Sequence, residues 1–278
     1  MVFKQTYKEV REGGKTRMKR FHEAPISIFK EVQKVTSGDY ALVHLFEENK
    51  QYLEMFEKAR DEGREIILDN SVFELGESFR SSDFAFWVRN FRPTWYIVPD
   101  VLNDAHATVR RFKSFIKKFP NLPGKRIGVV QCSSVDEAAW CYKMLEPDCD
   151  MVAFSFDSDF YTQQLHLKTK WHSMMMGRKY LLENLRDSGI INTDKPHHLL
   201  GCALPQEFAM YKEKGWEWIY SVDTSNPVVH GLYNIRYTEE GLDVKESTKL
   251  CTLIDSIPTE SQKENIFYNI EQFRRFAE

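Results

Sequence analysis

Apolar runs of strand length alternate with amphipathic stretches of helical spacing from residue 41 to residue 225, and this alternation restricts the chain to repeated β-α units. The runs are ALVHLF (41–46), EIILDN (65–70), WYIVPD (95–100), RIGVVQ (126–131), MVAFSF (151–156), HHLLGCA (197–203) and WIYSVDTS (218–225). Being largely continuous in hydrophobicity, they read as parallel strands buried on both faces. An eighth strand, first in order, is expected before residue 35, with APISIF as a candidate. Between them EENKQYLEMFEKARDEG, SSDFAFWVRNF, DAHATVRRFKSFIKKF, SVDEAAWCYKMLE, RKYLLENLRDSG and PQEFAMYKEKG have helical spacing, several opened by Ser or Asp and closed by Gly. At 278 residues the chain is close to the roughly 250 of one eight-fold barrel. The expected fold is therefore α/β, a (β/α)8 TIM-type barrel forming a single domain over 1–278. Residues 1–23 read as a basic N-terminal segment, 157–196 as an insertion ahead of its helix, and 227–278 as a C-terminal extension. That extension is expected to hold a hairpin around YNIRYTEEGLDVKES and a closing amphipathic helix from Thr259.

Composition narrows the class. No segment approaches the roughly 20 apolar residues that span a bilayer, and the basic start has no signal-like apolar stretch behind it, so a soluble cytoplasmic protein is expected, in host cytoplasm if viral. Five cysteines form no CxxC pair and are read as reduced thiols. A net charge of -3 argues mildly against nucleic acid, but its distribution matters more. Residues 1–20 carry seven Lys or Arg against two Glu. A second cluster runs through Arg110, Arg111, Lys113, Lys117, Lys118, Lys125 and Arg126, and a third includes Lys168, Lys170, Arg178 and Lys179. Each alone reads as a solvated face; together they favour a polyanion.

Four of the runs stop on similar polar groups: Asp69, Asp100, Gln131 and Asp223. In a barrel, strand carboxyl ends share one rim, so three carboxylates and an amide would face one pocket suited to a ligand rich in N–H donors. Asp at a strand end is often only a helix cap, and Phe73 taken alone reads as core. Gln131, after two valines, makes sense in a buried strand only if its amide meets a partner. Thr224, Ser225 and Asn226 are placed to fix the Asp223 carboxylate by hydrogen bonds. His44, His106 and His198 read as satisfied structural side chains, because no metal-ligand spacing links them.

On these residues the chain resembles the tRNA-guanine transglycosylase superfamily, and more closely its DNA-modifying branch, which inserts 7-deazaguanines into phage and bacterial DNA. The family's DSGG motif with a following aromatic is similar to LDNSVF, its GIVQG strand to GVVQC, and its LMGVGTPEDL before the nucleophile strand to LLGCALPQEF before WIYSVD. The resemblance implies Asp223 as nucleophile, Asp69 as acid/base, Phe73 as stacking aromatic, and Asp100 and Gln131 on the purine edge. Asn70, beside Asp69, and Ser155, in the run replacing the family's Gly-Gly-Leu with Phe154, Ser155 and Phe156, join the expected base-binding residues. Family tRNA enzymes carry a zinc site of three cysteines and a histidine, whereas beyond Asp223 only Cys251 and His230 stand here. No zinc subdomain, no metal and no cofactor are therefore expected. The implied reaction replaces guanine in DNA, less readily in tRNA, by a free 7-deazaguanine base such as 7-cyano-7-deazaguanine, through a covalent Asp-glycosyl intermediate. The target nucleotide must be extruded or single-stranded. The rival readings are an N-glycosidase that only releases the base, a non-catalytic nucleic-acid-binding barrel, and a small-molecule aldolase or lyase. The last usually shows a strand-end Lys or a Gly-rich phosphate loop, neither of which is evident.

Overall fold

Each of the seven apolar runs contributes to a strand in the computed structural model, which describes residues 18–278. The strands are β1 Lys19–Phe21, β2 Asp39–Leu42, β3 Ile66–Asp69, β4 Trp95–Ile97, β5 Lys125–Val130, β6 Met151–Ser155, β7 His197–Leu200 and β8 Ile219–Asp223. They form one parallel sheet in the order β1-β8-β7-β6-β5-β4-β3-β2, and a parallel bridge from Phe21 to Gly38 brings its two edges together. This is the (β/α)8 barrel.

The first strand corrects the sequence reading. APISIF is not a strand: after Pro25 it makes a short 3-10 turn, Ile26–Ile28, that leads into the helix Phe29–Val32. Ile28 and Val32 pack with Val228, Ile266 and Ile270 in a small satellite core. The strand is instead KRF, inside the segment read as a basic tail. Three residues with two cations carry no apolar signature, and their pairing comes from β8, with Phe21 beside Asp223. The cations of residues 1–17 lie outside the described residues.

The β1–β2 seam is held largely by hydroxyls. Ser37 Oγ accepts from Arg20 N at 3.1 Å, Thr36 Oγ1 accepts from His22 N at 3.1 Å, and the same Thr36 hydroxyl donates to Arg20 O at 2.6 Å. A side chain at Gly38 would collide there, since an added Cβ would stand 2.3 Å from the Phe21 ring.

Helices follow where caps start them. Asp104 and Ser134 accept from the backbone amides of Ala107 and Glu137 at 2.7 and 3.1 Å and open the helices Ala105–Lys118 and Val135–Leu145. Thr259 and Gln262 form a capping box before the final helix Glu260–Ala277, which packs against Asn226–Leu232. The 157–196 stretch folds as two helices, Asp159–Gln164 and Lys170–Asp187. PQEFAMY is a 3-10 helix rather than an α-helix. The expected hairpin is reduced to a single bridge between Thr238 and Gly241. Among the described residues no helix is long and apolar enough to cross a membrane.

Candidate active site

All eight strands run the same way, so their carboxyl ends share one rim, and a cavity opens there. Asp69, Phe73, Asp100, Gln131, Ser155 and Asp223 all line it. Asn70 is fully buried behind them and reaches the site through its amide.

Asp100, Asn70 and Gln131 form one hydrogen-bonded wall. Asn70 Nδ2 donates to Asp100 Oδ1 at 2.8 Å, and Gln131 Nε2 donates to Asp100 Oδ2 at 2.7 Å. Gln131 Oε1 accepts from Asn103 N at 3.0 Å, while Asn70 Oδ1 accepts from Val72 N at 3.0 Å, so both amides are fixed in orientation. The buried Gln131 has its partner, and that partner is the neighbouring acid. Burial raises the Asp100 pKa, opposed by the two amide donors. Each carboxylate oxygen keeps a lone pair for a ligand N–H.

Asp223 ends β8 and is gripped on one oxygen. His198 Nε2 donates to Oδ1 at 2.9 Å, Gly201 N donates to the same atom at 3.0 Å, and Ser221 Oγ fixes the other ring nitrogen of His198 at 2.7 Å. The expected partners Thr224, Ser225 and Asn226 do not hold the carboxylate; Thr224 Oγ1 instead accepts from Asn226 N. Those residues turn away after the strand, whereas β7 runs alongside. His198 is satisfied, as its sequence reading had it, but by the candidate nucleophile. A signal was present: on β7 it alternates with Leu200, which lines the cavity.

Gly201 is itself anchored. Arg178 and Glu207, both fully buried, pair through Nε and Nη2, and the guanidinium also donates to Leu200 O at 2.9 Å and Gly201 O at 3.0 Å. At Gly201 φ is +64°, and an added Cβ would stand 2.4 Å from the Phe156 ring, so only glycine delivers this amide to Asp223. Arg178 therefore leaves the basic cluster in which the sequence placed it. Lys168 and Lys179 are paired with Asp243 and Glu183.

Around Asp69 the acids crowd. Its Oδ2 accepts from Ser71 N at 2.7 Å, the tight turn being made by Ser71 at φ +62°. Burial first, then the charges of Glu74, Asp100 and Asp223, push its pKa well above the usual carboxylate range. Glu74, whose Oε2 is buried without a partner, is raised to about 7, chiefly by burial. Glu23, two residues past β1, is also raised well above its ordinary value, by burial and then by Glu74, Asp223 and Asp69. Neither glutamate was singled out in sequence; Glu23 becomes visible once KRF is recognised as a strand. Tyr40 lies below, its ring stacked 6.4 Å from that of His198.

The remaining wall comes from the segment after the Thr238–Gly241 bridge. Lys245, Glu246, Ser247, Thr248, Lys249 and Leu250 all line the cavity. Lys249 Nζ donates to Phe73 O at 2.8 Å and lies 5.0 Å from the Phe73 ring centre. Phe73, 36% exposed, is thus a pocket-wall aromatic, its ring 5.8 Å from that of Phe156. Ser155 Oγ accepts from Asp157 N at 3.1 Å and caps the turn after β6. His44 pairs with Ser71 Oγ at 2.8 Å, and His106 stands on the outside at 3.9 Å from Glu137. Among the described residues no group of three or more His, Cys, Asp or Glu is arranged to hold a metal ion.

No family model matches the chain, and no curated protein matches it. Among solved structures it is similar to the YdjI aldolase from Escherichia coli K12, with a TM-score of 0.55 at 10% identity over 100% of this chain and 96% of that one. It is also similar to the carboxyl transferase domain of pyruvate carboxylase from Rhizobium etli, with a TM-score of 0.50 at 11% identity over 99% of this chain and 50% of that one. At such identities these likenesses carry the barrel alone. Neither structure is a transglycosylase.

Proposed function

We propose that the protein exchanges guanine in a nucleic acid, DNA before tRNA, for a free 7-deazaguanine. The observation that supports this most is the meeting of Asp69, Asp100, Gln131 and Asp223 in one cavity from four separate strand ends. Asp223 has Oδ1 occupied by two N–H donors, which leaves Oδ2 as the attacking oxygen. It forms a bond to the anomeric carbon as the bond to guanine breaks, and the glycosyl-enzyme is later released to the incoming base. Asp69, whose pKa burial and then the surrounding acids raise in favour of its protonated form, gives its proton to the departing guanine and recovers one from the incoming base. Asp100 accepts from the N–H-rich edge of the purine, in a geometry fixed by Asn70 and Gln131. Phe73 offers a ring to the base face.

The test is incubation of the protein with labelled guanine in DNA or tRNA and a panel of deazaguanines, followed by digestion to nucleosides and mass identification. Label released only when a deazaguanine is incorporated is the expected result. Release without incorporation makes the protein a glycosidase, and no release from either nucleic acid removes the proposal.

A further inference from the structure

Lys245 is a charged group of the cavity that the exchange chemistry leaves unused. Its Nζ stands 3.6 Å from the Phe156 ring centre and donates to Cys202 O at 2.7 Å, a neutral acceptor. Burial lowers its pKa to about 8, so at neutral pH it remains mostly an ammonium. An ammonium has three donors, and with one on Cys202 the others are left for the cavity. The carboxylates of Asp157 and Asp223 offset its charge, but its hydrogen bond goes to a carbonyl and its other close neighbour is the face of a ring, so a ligand acceptor or anion would complete the arrangement.

Ring order says which part of a base meets it. Asp100 follows β4 and Gln131 follows β5, while Asp223 ends β8. Phe156 follows β6 and Cys202 follows β7, on the arc between those two sectors. A flat purine with its donor edge on Asp100, its glycosidic nitrogen toward Asp223 and its N3 side toward Asp69 on β3 turns the outer edge of its five-membered ring, position 7, along that arc. We infer that Lys245 selects the incoming base by the charge of its 7-substituent, accepting a neutral acceptor or a carboxylate and refusing a cation. This rests on the base-exchange reading, but it is testable through binding alone.

Equilibrium binding of 7-cyano-, 7-carboxy- and 7-aminomethyl-7-deazaguanine is measured on the full chain and on Lys245→Met, Lys245→Glu and Lys245→Arg. The unsubstituted 7-deazaguanine serves as the control for an intact pocket. The wild type is expected to hold the cyano and carboxy bases about 30-fold tighter than the aminomethyl base, because like charges meet only with the last. Lys245→Met should narrow that ratio to about threefold, Lys245→Glu should reverse it, and Lys245→Arg should keep it. Equal wild-type affinity for the cyano and aminomethyl bases, an unchanged ranking in Lys245→Met, or no binding of any base each overturns the inference. The expected ranking without exchange of labelled guanine would remove the exchange reading and leave the role of Lys245 standing.

Discussion

The two halves of the cavity treat their acids in opposite ways. On the β4–β5 side Asp100 has an amide donor on each oxygen, and those amides are pinned in turn by backbone amides. On the β3–β1 side burial raises the pKa of Asp69, Glu74 and Glu23, the charge of Glu74 adds to the rise of the other two, and one Glu74 oxygen is buried without any donor. The saturated wall is rigid and suited to reading a ligand edge. The crowded wall keeps protons near neutrality and is suited to moving them.

Four substitutions break or sharpen that contrast. Asp223→Asn keeps the shape of the side chain and removes the proposed nucleophile, so exchange should fall about ten-thousand-fold or more in the nucleoside mass assay. Glu207→Ala strands the Arg178 guanidinium in the core, and chemical denaturation should register a loss of about 3–5 kcal/mol. Surviving activity in that variant should be low in turnover, because Gly201 loses its anchor to Asp223. Gln131→Ala removes one donor from Asp100 and should reduce discrimination against adenine by roughly 10-fold, with a smaller change in turnover. An unchanged guanine-to-adenine ratio would take Gln131 out of recognition.

The smallest effect is a pH dependence of stability. Unfolded Glu74 releases its proton near 4.5 and folded Glu74 only near 7. Across that window the folded state holds more protons, so stability falls as pH rises and levels off above the folded value. Glu74→Gln removes this contribution, and its stability relative to wild type should rise by roughly 1–3 kcal/mol between pH 4.5 and 7.5 in thermal or denaturant unfolding. Asp69 and Glu23 carry shifts of the same sign, so part of the slope persists in the variant.

The barrel was legible because seven strands are long apolar runs, whose pattern survives without knowledge of their partners. The strand-end groups were legible for the same reason, each marking where a run stops. KRF was not, because its strand character comes from pairing with β8, and with it Glu23 was lost. The link from Asp223 to His198 spans 25 residues and depends on two strands lying side by side, which spacing along one strand does not express. Lys245 sits in irregular chain with no periodicity at all, and Arg178 looked like surface charge until Glu207 was found against it.

The hydroxyl stitching of Thr36 and Ser37 has one more consequence. Hoop strength in a closed sheet is set by its weakest joint, and here that joint is a lone bridge, one backbone bond from Ser37 N to Arg20 O at 2.8 Å and two short side chains rather than a continuous ladder. Breathing of the cylinder should therefore begin at this split, with deuterium entering the amides of Arg20 and His22 ahead of those in β5 and β6. Since Glu23 stands just past that split, transient parting would wet the proton-holding side of the cavity while the side facing Asp100 stays shut.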